Sequence, residues 1–215
     1  MITIVKISYK TDFVRIELDS GEKLDMDPLA SSMYRLSAEK VLSQEEYKQL
    51  KDESDRFMCS KKAINYIAMG SKTSKEVSSY LKRKGFDQIY INEAIEKLKN
   101  LKYLDDMDYA ERFAKQKLSR KTVGKNYIRQ DLIRKGIPRD IIKKVISGIT
   151  TDEAGFEKIY QSAMKKYLAV KDKPNPMQKV YMNLISKGFE SDLVLKVVNK
   201  VKKNIKAAED ENINL

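Results

Sequence analysis

The chain has 215 residues, 41% hydrophobic and 34% charged, with 8 Gly and 4 Pro, a balance that describes a folded, helix-rich chain rather than a disordered one. Its formal net charge is +12, and its 0 His and 1 Cys leave almost no material for a zinc site or for Ser-His or Cys-His catalysis. No apolar run approaches the ~20 residues that span a bilayer, and the single Cys59 cannot form an internal disulfide, which fits a reducing cytoplasm.

Residues Met1 to Lys6 show neither the basic start nor the long apolar stretch of a secretory signal, so none is expected. Thr3 to Tyr9 and Phe13 to Leu18 alternate apolar and polar residues around Lys10-Thr11-Asp12, the pattern of a β-hairpin. Asp19-Ser20-Gly21 is a second turn, leading to a short strand near Lys23 and Leu24. Asp27 and Pro28 suit the cap and first position of a short helix. A further helix is expected from Ser43, which forms a capping box with Glu46, while Leu42 and Tyr47 have the spacing of a hydrophobic staple. Residues 1–54 therefore read as a small α/β module, whose core alone would be marginal.

Residues 55–203 read differently, as helices in threes. A helix from about Asp55 to Met69 should turn Ala63, Ile64 and Ile67 inward, with Cys59 an inert boundary residue. Thr73 and Glu76 form another capping box, opening a helix that stops at Gly85, and a third helix runs to about Asn100. The phrase Leu81-Lys82-Arg83-Lys84-Gly85-Phe86 then returns as Leu132-Ile133-Arg134-Lys135-Gly136-Ile137 and as Leu184-Ile185-Ser186-Lys187-Gly188-Phe189, 51 and 52 residues on. Val77, Ile128 and Val180 stand four residues before each Leu. Behind each copy apolar residues recur at matching positions: Ile91, Ile95 and Leu98, then Ile142, Ile146 and Ile149, then Val194, Val198 and Val201. Such a period marks a tandem array. The expected fold is mainly α, three helix-turn-helix-like repeats at 55–103, 104–152 and 153–203, with a polar, frayed tail at 204–215.

Within each phrase Gly85, Gly136 and Gly188 take the left-handed position that ends a helix, and the basic residues just before them complement the helix dipole. Asp105, Asp106 and Asp108 invite a metal or a catalytic pair, hence a nuclease. The favoured reading is that Asp105 caps the next helix and the other two face its positive end. Tyr103, Leu104 and Tyr109 around them should pack one repeat on the next. Gly124 aligns with Thr73 as a weaker cap, and Asn175-Pro176 open the matching helix of the third repeat.

Residues 111–147 hold 12 basic against 3 acidic side chains, an excess of one sign that seeks a polyanion or an acidic protein surface. With Ile128 and Leu132 inward, Lys125 and Arg129 fall on one exposed stripe. The expected contact strip is Lys82, Arg83, Lys84, Arg120, Lys121, Lys125, Arg129, Arg134 and Lys135. The basic run thins from Lys82-Arg83-Lys84 to Lys187 alone, which puts the binding surface on the first two repeats.

The ordered set Leu81-x-x-Lys84-Gly85-Phe86, Leu104-Asp105-Asp106-x-x-Tyr109-Ala110 and Leu132-x-x-Lys135-Gly136-Ile137 resembles the RecX family of bacterial RecA regulators. The resemblance covers about residues 55–200, and the N-terminal hairpin and helix look like the extra module of longer members. It implies an all-helical array of three-helix repeats that binds the RecA–DNA filament; a cytoplasmic monomer with no enzymatic activity or cofactor is expected. It also implies restraint of RecA ATPase, strand exchange and co-protease activities in DNA repair and the SOS response. The third repeat departs from the pattern at Ser186. The alternative reading is a helix-turn-helix-type protein that binds single- or double-stranded DNA without RecA.

Overall fold

Ile4, Val14, Ile16 and Leu18 turn to the buried face of an antiparallel sheet, while Val5, at a register shift between Ile4 and Lys6, and Tyr9 beyond it are exposed. A computed structural model describes residues 2–213, with only the backbone at 209 and at 211–213. Strands β1 (Ile2–Tyr9), β2 (Val14–Leu18), β3 (Lys23–Met26) and β4 (Val41–Leu42) lie in the order β3-β2-β1-β4. Ile4, Val14, Ile16, Leu18, Leu24 and Met26 meet Leu42 and Leu50 in one core. Arg15 and Asp25 sit opposite each other in the register, and the guanidinium grips the carboxylate at 2.7 and 2.8 Å. The hairpin and third strand agree with the sequence pattern; β4 is too short to carry one.

Asp27 caps α1 (Pro28–Ser32) through Leu29 N–H at 2.8 Å. Ser43 and Glu46 close the expected capping box at 2.9 and 3.1 Å, and Leu42 and Tyr47 pack on the same core. The helix they open corrects an expectation. It runs unbroken as α2, Gln44–Ala68, so the helices read at Ser43 and Asp55 are one. No Pro or Gly interrupts it, and Leu50, Ser54, Cys59 and Ala63 form its buried stripe. Ile64, expected inward, is 47% exposed, because the small Cys59 and Ala63 face the neighbouring helices.

Helices α3 (Ser74–Arg83) and α4 (Gln88–Asn100) complete this first unit, which ends at Asp105. Val77, Leu81, Ile91, Ala94, Ile95 and Leu98 pack against Cys59 and Ala63. Thr73 and Glu76 form their capping box, and Tyr66 stacks on Tyr80 at 4.2 Å.

The second unit holds two further helix triplets. Helices α5 (Asp106–Arg120), α6 (Lys125–Arg134) and α7 (Arg139–Gly148) surround Ala110, Ala114, Ile128, Leu132, Ile142 and Ile146. Helices α8 (Glu153–Leu168), α9 (Pro176–Ser186) and α10 (Ser191–Ile213) surround Ile159, Ala163, Val180, Leu184, Val194 and Val198. The tail expected from Asn204 is instead helical to Ile213, with Ile205 against this core; Asn214 and Leu215 lie outside the described residues. Tyr103 is 65% exposed rather than packed, while Leu104 joins the core of the first unit and Tyr109 that of the second.

All three phrase glycines have positive φ: +87° at Gly85, +73° at Gly136 and +81° at Gly188. After each, the next N–H reaches back five residues, Phe86 to Leu81, Ile137 to Leu132 and Phe189 to Leu184, at 3.1–3.3 Å. That bond satisfies a carbonyl the helix end leaves open.

Candidate functional site

In the first unit Lys82 and Arg83 occupy the last turn of α3, and Lys84 caps it; all three are exposed. Lys84 Nζ lies 5.7 Å above the Tyr80 ring. This places cations where the helix carbonyls point, which the dipole favours.

In the second unit the basic residues gather at the two ends of α6. Arg120 and Lys121 are exposed where α5 gives way to the loop, and with Lys125 they border a groove of about 360 Å³. Lys158 of α8, which the sequence did not single out, borders the same groove. Lys125 and Arg129 are half-buried, not fully exposed as the spacing suggested. Arg129 donates to Asn126 Oδ1, and Lys125 Nζ stands 3.8 Å from Glu190. On their other side is a second groove, about 530 Å³, shared with Arg139 and Lys143 of α7. Those two cations at i, i+4 were also missed, although the spacing is legible once α7 is placed.

The far end of α6 is built differently. Arg134 is 71% exposed but is paired with Asp131, whose side chain is mostly buried. Lys117 Nζ of α5 reaches the other Asp131 oxygen at 3.1 Å. Burial opposes charge on Asp131, but hydrogen bonds from Lys117 and Arg134 outweigh it and hold the carboxyl below its ordinary value. Arg134 therefore serves the fold as well as the surface. Lys135, the α6 cap, is half-buried beside it.

The α6 N-terminus carries the least expected feature. Gly124 is its cap but has no side chain to accept from the open N–H groups. The C-terminus of α9 supplies acceptors instead. Gly124 N–H donates to Lys187 O at 2.9 Å, and Asn126 N–H to Gly188 O at 3.0 Å. The donors one helix end lacks partners for thus meet the acceptors of another, dipoles head to tail. The approach requires glycine on both sides. A Cβ on Gly124 would lie 2.2 Å from Gly188 O, and one on Gly188 2.2 Å from Tyr127 N. Gly188 is therefore both a helix terminator and half of a joint between the second and third triplets. Lys187 beside it is half-buried, donates to Ser162 Oγ at 2.7 Å, and has its pKa lowered by burial and by nearby Lys166.

Asp106 and Asp108 fall in the first turn of α5, with Asp105 just ahead of it, the arrangement expected of helix-end acids. Asp108 pairs with Arg112 one turn on at 2.6 Å. Cys59 is buried, and its thiol is pushed up to about 11, mainly by burial, so it is protonated and unreactive at neutral pH. Among the described residues no helix is long and apolar enough to cross a membrane.

These features define a helical-repeat protein: three-helix units that follow a small sheet along the chain, with cations collected at the ends of the first two middle helices. Family models described as the first and second three-helix domains of RecX match residues 59–98 and 105–146. A regulatory protein RecX of Clostridium perfringens (strain SM101) is 32% identical over 209 residues, covering 94% of this chain and 97% of that one. One from Listeria monocytogenes serovar 1/2a is 28% identical, covering 99% and 80%. A crystal structure of regulatory protein RecX shares the fold, with TM-score 0.74 and 21% identity over 93% of this chain and 100% of that one. The crystal structure of RecX from Lactobacillus salivarius gives TM-score 0.63 and 26% identity over 69% and 97%. The chain belongs to the RecX family of regulatory proteins.

Proposed function

We propose that the protein binds the RecA–DNA filament and restrains its ATPase, strand exchange and co-protease activities in DNA repair and the SOS response. It acts in the cytoplasm as a monomer, without catalysis or a cofactor of its own. Family membership supports the partner. The observation that carries the reading is the set of cations around the α6 N-terminus, Arg120, Lys121, Lys125 and Arg129, on two adjoining grooves. Lys82, Arg83 and Lys84 at the end of α3, and Arg134 and Lys135 at the end of α6, belong to the same proposed contact set. The working division is an N-terminal module, three three-helix repeats and a carboxyl-terminal extension.

The same cations would attract bare nucleic acid, so the test must separate the two targets. Fluorescence anisotropy of a labelled DNA single strand, bare or coated with RecA, is measured at physiological salt. Binding at least about tenfold tighter to the coated strand is expected, a difference of ~1.4 kcal/mol. Equal affinity for both would favour a DNA-binding protein that acts without RecA.

A further inference from the structure

The groove between α6 and α7 is not built like a phosphate site. Its rim is cationic, with Lys125 and Arg129 on one side and Arg139 and Lys143 on the other, and only Glu190 opposes them. Its floor is hydrocarbon, Ile133, Ile142 and Ile146; Ser147 also lines it, but its hydroxyl donates to Lys144 O at 2.8 Å. Ile142 and Ile146 are buried, but Ile133 is 50% exposed, one helical turn beyond Arg129 on the same face of α6. A nucleic-acid backbone would satisfy the rim and leave the isoleucines against charged, hydrated phosphates, which need donors the floor does not have. A purely apolar ligand would leave four cations without gain. One chemistry satisfies both parts, a protein segment with carboxylates along its edges and apolar side chains between them.

We propose that the α6–α7 groove is a docking site for an acidic protein segment that seats apolar side chains on Ile133, Ile142 and Ile146. Helices recognised in this way place anchors one turn apart on one face. Lys125, Arg129, Arg139 and Lys143 then meet carboxylates on the segment's flanks, which sets register and speeds encounter. This rests on the reading that the partner is the RecA filament and assigns the groove to the protein part of that filament, not to its DNA.

The test uses the full chain with Ile133→Ser, which removes the exposed floor contact without changing charge, and separately Lys143→Glu on the rim. Each is titrated against a RecA-coated single strand and against the same strand bare, with circular dichroism to check the fold. Both substitutions are expected to weaken filament binding about tenfold, as loss of a well-placed anchor does. Ile133→Ser is expected to leave the bare-strand affinity within about twofold, since counterion release ignores hydrocarbon. Parallel loss on both targets would overturn the proposal in favour of DNA in the groove. Unchanged filament binding by Ile133→Ser would overturn it and leave the RecA reading intact. Wild-type protein with no preference for the coated strand would remove both. Concentration-dependent dimerisation abolished by Ile133→Ser would instead give the groove to a second copy, whose carboxyl-terminal stretch carries Glu209, Asp210 and Glu211.

Discussion

Replacing Gly124 with alanine adds one carbon to the chain, and the joint between the second and third triplets predicts that this carbon is costly. It would stand 2.2 Å from Gly188 O, 2.3 Å from Gly188 C and 2.4 Å from Phe189 N, all backbone atoms with no rotamer to yield. The helices must separate, and the bonds from Gly124 and Asn126 N–H to Lys187 and Gly188 O then lengthen or break. Two such bonds contribute ~0.5–1.5 kcal/mol each, and overpacking a tight contact costs ~1–3 kcal/mol. The expected loss is therefore about 2–6 kcal/mol. Gly85 is the internal control for Gly188: its φ of +87° is close to the +81° of Gly188, but a Cβ there meets nothing within 4 Å. Gly85→Ala should cost only the left-handed penalty, ~1–2 kcal/mol, whereas Gly188→Ala should carry that penalty and the clash together. Urea unfolding followed by circular dichroism measures all three, and a third triplet released from the second would appear as a separate early transition. Gly124→Ser makes the decisive comparison. Serine outranks glycine as a helix cap, so capping alone predicts a gain, while the joint predicts a loss like that of alanine. A stabilised Gly124→Ser protein would refute the joint.

Arg134→Glu puts a carboxylate beside the mostly buried Asp131 and should lower stability by ~1–2 kcal/mol, below the cost of a fully buried pair because Arg134 is exposed. Arg120→Glu, at an exposed site, should stay within ~0.5 kcal/mol in the same urea midpoint comparison. Acid should weaken both units through particular carboxyls. Glu22 has its pKa lowered by the hydrogen bond from Lys51, with Tyr47 adding to it against burial, and Asp131 is held low as described above. Each binds its proton less readily folded than unfolded, so its stabilisation is present at neutral pH and is lost as pH falls from about 4 through the folded value. Urea midpoints should drop between pH 6 and about pH 3, and Asp131→Asn should flatten that drop.

The repeat was legible because its signals are local. A Leu, a helix-ending Gly and an apolar residue after it define each middle helix, and all three glycines have the left-handed backbone that this pattern requires. The capping boxes at Ser43 and Thr73 were legible for the same reason, each closing within four residues. Helix α2 was misread because its buried stripe uses Ser54, Cys59 and Ala63, small residues that admit α4 closely but do not stand out as an apolar face. Long-range features left no local trace. Gly124 looks like a poor cap until Lys187 and Gly188, more than sixty residues away, supply the acceptors. The ion pair of Arg134 with Asp131 was visible in its i, i+3 spacing, but the third member, Lys117, comes from another helix. Arg139 and Lys143 do not stand out in the sequence because the isoleucines of their helix carry the repeat pattern, whereas the groove takes its chemistry from both faces of that helix.

The most direct measurement of filament regulation is RecA ATPase on single-stranded DNA, titrated with this protein. Hydrolysis is expected to fall with added protein. Inhibition well below one molecule per RecA would point to growing filament ends and inhibition near parity to coating along the filament, and either agrees with a filament regulator. Raised salt should relieve the inhibition, because the cations around α6 are screened over about 10 Å. Unchanged ATPase at an excess of the protein, with RecA still active on the same DNA, would contradict it.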